Sequence, residues 1–142
     1  MIKGKFPVDK FQQWETPFYF YDVALLKTTL DTLRRETEGQ NFHIHYAVKA
    51  NANSGVLRLI ASYGFGADCV SGNEIKQAVE CGFKPEQIAF AGVGKTDKEI
   101  SLALDYDIFC FNVESLPELE AIEHLAREKG TTARIALRIN PN

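Results

Sequence analysis

Cysteine is scarce in this chain, with three in 142 residues, and the odd count excludes a fully paired disulfide framework. Cys69, Cys81 and Cys110 show no CxxC spacing, so no zinc site is indicated, and a reduced, cytoplasmic protein is expected. No apolar run approaches the about 20 residues of a membrane-spanning helix. The opening "MIKGKFPVDKF" scatters charges among its apolar residues and lacks the continuous stretch of a secretion signal. Positive charge is not in excess either: 16 Lys and Arg stand against 19 Asp and Glu, a net charge of −3. That balance gives no electrostatic basis for a nucleic-acid surface. Low-complexity segments and linkers are missing too. What is present is ordinary globular composition, 45% apolar and 25% charged, at a length sufficient for a real core.

From Tyr46 onward the chain repeats one plan: a short apolar run, a helix-start signal, an amphipathic stretch and often a glycine. Three starts have capping-box form, Ser71-Gly-Asn-Glu74, Thr96-Asp-Lys-Glu99 and Ser115-Leu-Pro-Glu118. Gly39, Gly64, Gly82 and Gly130 mark helix ends, where glycine readily takes the left-handed conformation. Strands are predicted at 42–48, 66–70, 87–91, 108–112 and 133–139, and helices at 23–37, 54–63, 73–81, 97–105 and 115–128. An earlier run, "TPFYFYD", reads as a separate strand, with Asp22 capping the first helix. Residues 1–22 are thus a leading segment, and 23–142 a succession of parallel βαβ units.

Alternation separates two strand faces. Phe42, Ile44, Tyr46 and Val48 oppose His43, His45, Ala47 and Lys49; Ile88 and Phe90 oppose Ala89 and Ala91; Ala133, Ile135, Leu137 and Ile139 oppose Arg134, Ala136 and Arg138. A sheet covered by helices on both sides should be apolar on both faces. One bulky face and one small or charged face fit a (β/α) barrel better, with a ligand site at the C-terminal strand ends. A complete eight-stranded barrel takes about 250 residues. About five βα units are seen, and the chain stops after a strand, so the expected architecture is a partial TIM barrel within a larger protein.

Lys49 ends the first barrel strand on the inward row. There a desolvated amine would be a nucleophile with lowered proton affinity. The alternative is a rim lysine whose ammonium snorkels into water. "YAVKAN" (46–51), "GADCVSGNE" (66–74), "FAGVGKTDKEI" (90–100) and "ALRINPN" (136–142), in this order and with "TPFYFYD", closely resemble the fold-type III pyridoxal-phosphate (PLP) decarboxylases, and among them the diaminopimelate decarboxylase family. The resemblance covers nearly the whole chain. It implies PLP attached to Lys49, which is freed during the reaction to move protons. It also implies conversion of meso-diaminopimelate to L-lysine and CO2 by a homodimer with sites completed across the interface. Ala47 would leave room for the flat ring, and Asp68 and Arg138 match cofactor-pocket positions, Arg138 as a cation near the phenolate oxygen. Asp68 could instead cap a turn, and Arg138 could pair with it. The family pattern puts an acid at Glu74 near the cofactor, though the capping box explains that residue unaided. The ring-stacking histidine, the glycine-rich phosphate loop, the acid opposite the pyridine nitrogen, the substrate-carboxylate contacts and most of a β-domain would lie beyond residue 142. The isolated piece is expected to be inactive and prone to associate through an open sheet edge.

Ornithine, arginine or carboxynorspermidine decarboxylases would share Lys49, as would a non-catalytic PLP-binding protein. "AFAGVGKT" nearly matches a phosphate-binding P-loop, but position 89 is alanine where glycine is required, and Thr96 serves better as an N-cap. His43 and His45 share a face without a third ligand, which favours packing over metal binding. Asn51 and Asn53 are suited to bonding the loop backbone, and Phe109 and Phe111 to the core.

Overall fold

The computed structural model describes residues 6–139 and 141. They belong to two compact units, Met1–Phe42 and His43–Asn142. In the first, α1 (Val8–Phe11) precedes α2 (Val23–Thr37), whose N-cap Asp22 accepts a hydrogen bond from the Leu25 N–H at 2.9 Å. The strand expected over 16–22 is not formed. Its alternation serves a ring cluster instead: Phe18 and Phe20 pack on Phe11 at 5.4 and 5.2 Å and on Trp14 at 5.3 and 6.5 Å, while Tyr19 and Tyr21 are exposed.

The second unit alternates strands and helices: β1 (His45–Ala47), α3 (Ser54–Ser62), β2 (Gly66–Cys69), α4 (Gly72–Glu80), β3 (Ile88–Phe90), α5 (Asp97–Asp105), β4 (Cys110–Val113), α6 (Leu116–Glu128) and β5 (Ile135–Leu137). All four strand pairings are parallel, and spatial order follows chain order. Each crossover therefore steps the same way. Right-handed connections then place every helix on one face, as in an arc of a barrel and unlike a doubly wound sheet. Gly39, Gly64, Gly82 and Gly130 all have positive φ, between 63° and 98°, at the helix ends read from the sequence.

The helix-side face forms the core. Ala67, Cys69, Ile88, Phe90, Phe111 and Val113 are all buried, and the Phe90 and Phe111 rings lie 6.1 Å apart. The opposite face is lined by small or polar residues, and register aligns Ala47, Asp68, Ala89 and Cys110 in one row across it. One expectation about the core fails, and the last strand is left open. Phe109 precedes β4, so alternation does not govern it; it is 43% exposed and lies against the His45 ring at 5.6 Å. Ile135 and Leu137 are also exposed, because β5 is the sheet's last strand among the described residues.

Candidate active site

β1 ends at Ala47, earlier than expected, and Val48–Ala50 make a single turn of 3-10 helix. Val48 is fully buried and anchors the turn, while Lys49 projects from it and is exposed. The loop that follows is tied at several points. The Tyr46 hydroxyl donates to the Asn51 carbonyl at 3.2 Å, Asn51 Oδ1 accepts from the Asn53 N–H at 2.9 Å, and Gln77 Nε2 donates to the Ala52 carbonyl at 2.6 Å. Asn53 caps α3, accepting from Gly55 and Val56. Both asparagines thus serve the backbone, and the loop they hold fixes where Lys49 stands.

At the C-terminal end of the strands lies a cavity of about 460 Å³ walled by Lys49, Asp68, Asn112, Glu114 and Arg138, with Ala91, Gly92 and Ala136 keeping it open. Three residues singled out in the sequence, from the ends of β1, β2 and β5, meet on this one space. Ala47 is not in its wall, although it pairs in register with Asp68, which is. The Lys49 and Asp68 side chains make no hydrogen bond or ion pair among the described residues, so neither is committed to holding the fold. The expected dry setting of Lys49 is not found, because five strands leave the inner face open to water.

Arg138 does not pair with Asp68. Its Nη1 donates to Glu114 Oε1 at 3.1 Å, while its backbone N–H extends the β5 ladder to the Val113 carbonyl at 3.0 Å. Glu114 and Asn112 were not foreseen as wall residues. The signal was available, since both fall on the same alternating row of β4 as Cys110. Asp68 raises the proton affinity of both neighbouring thiols, secondary to burial: Cys69 is pushed up to about 12 by desolvation, then by Glu74 and Asp68, and Cys110 is raised by burial despite Arg134.

Glu74 lies outside the cavity wall. Its Oε2 accepts from the Val70 N–H at 2.7 Å, and Ser71 Oγ accepts from the Glu74 N–H. Glu118 does likewise, accepting from the Glu114 N–H at 3.0 Å. These two glutamates reach the residue before the cap, so of the three predicted starts only Thr96 and Glu99 close a reciprocal capping box. The P-loop reading fails on Lys95, whose side chain is 1% exposed and fully occupied by protein oxygens. Among the described residues, no group of three or more His, Cys, Asp or Glu could hold a metal ion, and no helix is long and apolar enough to cross a membrane.

Comparison with known proteins gives a consistent result. The family described as "Pyridoxal-dependent decarboxylase, pyridoxal binding domain" matches residues 24–142. A diaminopimelate decarboxylase of Bacteroides thetaiotaomicron is 54% identical over 142 residues, which is 99% of this chain and 37% of the relative. One from Helicobacter pylori is 47% identical over 132 residues, 93% of this chain and 33% of the relative. The crystal structure of diaminopimelate decarboxylase from Helicobacter pylori complexed with L-lysine superposes with a TM-score of 0.89 at 45% identity, covering 95% of this chain and 34% of that one. The chain thus spans about a third of the length of the curated relatives it matches.

Proposed function

This chain belongs to the pyridoxal-dependent decarboxylases through their pyridoxal binding domain, and from that premise we propose that Lys49, Asp68 and Arg138 form part of a PLP site in a protein that decarboxylates meso-diaminopimelate to L-lysine. The observation that carries this reading is the convergence of an uncommitted amine, a carboxylate and a guanidinium on one cavity at the C-terminal ends of the strands. The residues present fit the group. Ala91, Gly92 and Ala136 leave space between the charged side chains, and Lys49 offers a primary amine that no acceptor among the described residues holds.

When bound, the cofactor supplies the electron sink that accepts the pair left behind by departing CO2. The chain's own residues do the rest of the work described here. Lys49 is the covalent attachment point and, once released, a base or acid at its Nζ. Asp68 sets a negative potential on the inner face. Arg138, steadied by Glu114, presents a cation to an anionic oxygen of the ring. A homodimeric, cytoplasmic protein accompanies this reading, supported by the family resemblance and by three unpaired cysteines.

Incubating the chain with PLP, reducing with borohydride and mapping peptides tests the assignment without relying on turnover. A phosphopyridoxyl group concentrated on the Lys49 peptide, and lost in Lys49→Ala, is the expected result. Labelling spread over the surface lysines and unchanged by that substitution would overturn it. Substrate profiling of a protein carrying the complete barrel separates diaminopimelate from ornithine or arginine.

A further inference from the structure

Lys95 is a buried cation outside the cavity, and two of its bonds reach carbonyls of the cavity's wall from behind. Its Nζ donates to the carbonyl of Gly92 at 2.7 Å and to that of Asn112 at 2.9 Å. It also pairs with Glu118 Oε1 at 2.6 Å and sits 5.2 Å over the Phe90 ring. The other oxygen of Glu118 accepts the N–H of Glu114, and the carboxylate of Glu114 holds Arg138. Gly92, Asn112, Glu114 and Arg138 all line the cavity, whereas Lys95 and Glu118 do not.

A buried ammonium surrounded this completely is costly to misplace, because its acceptors would be left unsatisfied and its charge uncompensated. The network therefore has one low-energy arrangement. That arrangement sets the spacing between the β3–α5 loop and the β4–α6 turn. We propose that Lys95 is a positioning residue for the cofactor site, acting through Glu118 and Glu114 to hold Arg138 in its working orientation; this rests on the reading of the cavity as the PLP pocket. Lys95 touches neither cofactor nor substrate. Its effect is transmitted by the backbone it anchors and by the carboxylates of Glu118 and Glu114.

The test is a double-mutant cycle on PLP affinity, read from the concentration dependence of borohydride-trapped label on Lys49. Lys95→Met and Arg138→Ala should each weaken binding about tenfold, and the double variant should be no weaker than the worse single, since both remove one coupled function. Glu118→Gln, nearly identical in volume, should behave as Lys95→Met does and also fail to add to Arg138→Ala. It carries the cycle by itself should Lys95→Met not fold by circular dichroism. Losses that multiply in the double variants, or unchanged affinity in a folded Lys95→Met or Glu118→Gln, would overturn the positioning role. A different result, Arg138→Ala without effect and no preference for Lys49, would instead bring down the cofactor reading beneath it.

Discussion

Glu99 and Gly72 begin neighbouring helices and are joined directly: Glu99 Oε1 accepts the Gly72 N–H at 2.8 Å, while Oε2 accepts the N–H of its own cap, Thr96, at 3.1 Å. One carboxylate thereby satisfies the first turns of both α4 and α5. The contact is close. A β-carbon on Gly72 would stand 2.9 Å from Glu99 Cγ and 3.4 Å from Leu102 Cδ2.

Gly72→Ala should therefore destabilise the chain by roughly 1–3 kcal/mol through overpacking, seen as a lower urea midpoint. Gly94→Ala is the control. No atom lies within 4 Å of a β-carbon there, so a neutral or slightly stabilising change of about 0.4–1 kcal/mol is expected from the stiffer unfolded chain.

Glu99 also predicts an acid response. The Gly72 N–H, then the Thr96 hydroxyl and N–H, lower its proton affinity against a small opposing effect of burial. A carboxyl with depressed folded-state affinity contributes stability that is fully present above its ordinary range and is lost as pH falls through the folded value. Glu99→Gln should be less stable at neutral pH and should lose less stability on acidification. Urea midpoints across an acid series measure this, and parallel curves for the two proteins would refute it.

The three thiols should differ in reactivity. Cys69 and Cys81 are buried and Cys110 is half-buried, with the Cys69 thiol pushed up to about 12. At mildly alkaline pH an alkylating reagent should modify Cys110 first, and slowly, because burial raises its proton affinity too. In denaturant all three should react alike. Peptide mass spectrometry over time reads the order.

Arg134 holds the segment before β4 by donating to the Asp107, Ile108 and Phe109 carbonyls, and it pairs with the Asp107 carboxylate. Asp107 has a positive φ of 52°, so the clamp steadies a backbone position that side chains rarely adopt. Arg134→Ala should lower stability by about 1–2 kcal/mol, and Arg134→Lys should recover little, since a single ammonium cannot span the fork's acceptors. Full recovery by lysine, in thermal melts, would assign the effect to charge alone.

Helices were more legible than strands, for a local reason. Asp22, Thr96 and Ser115 act as caps within one turn of chain, and the limits of α2 and α5 follow from such signals directly. Alternation announces a side-chain face without saying where pairing stops. Residues 42–44 alternate but lie outside the ladder, and "TPFYFYD" alternates with no partner strand. At the candidate site, strand parity and the C-terminal-end rule were enough to bring Lys49 and Arg138 together, whereas Asp68 was singled out by the family resemblance. The partners of Arg138 and Lys95 needed more. Glu114 and Glu118 are 24 and 23 residues away along the chain, and only the β3–β4–β5 register brings them close. The wetness of Lys49 was invisible for a similar reason, since exposure of an inner face depends on how far a sheet curls around it.

The rim of the cavity is braced by Lys95 and Glu118 from the helix side, whereas the Lys49 and Asp68 side chains make no hydrogen bond or ion pair among the described residues. Scaffolding and chemistry are thereby assigned to separate residues. Mutation could retune the inward groups toward another ligand while the brace keeps the loops in place. A lineage built on this arrangement can diversify its reactions without first surviving a loss of foldedness.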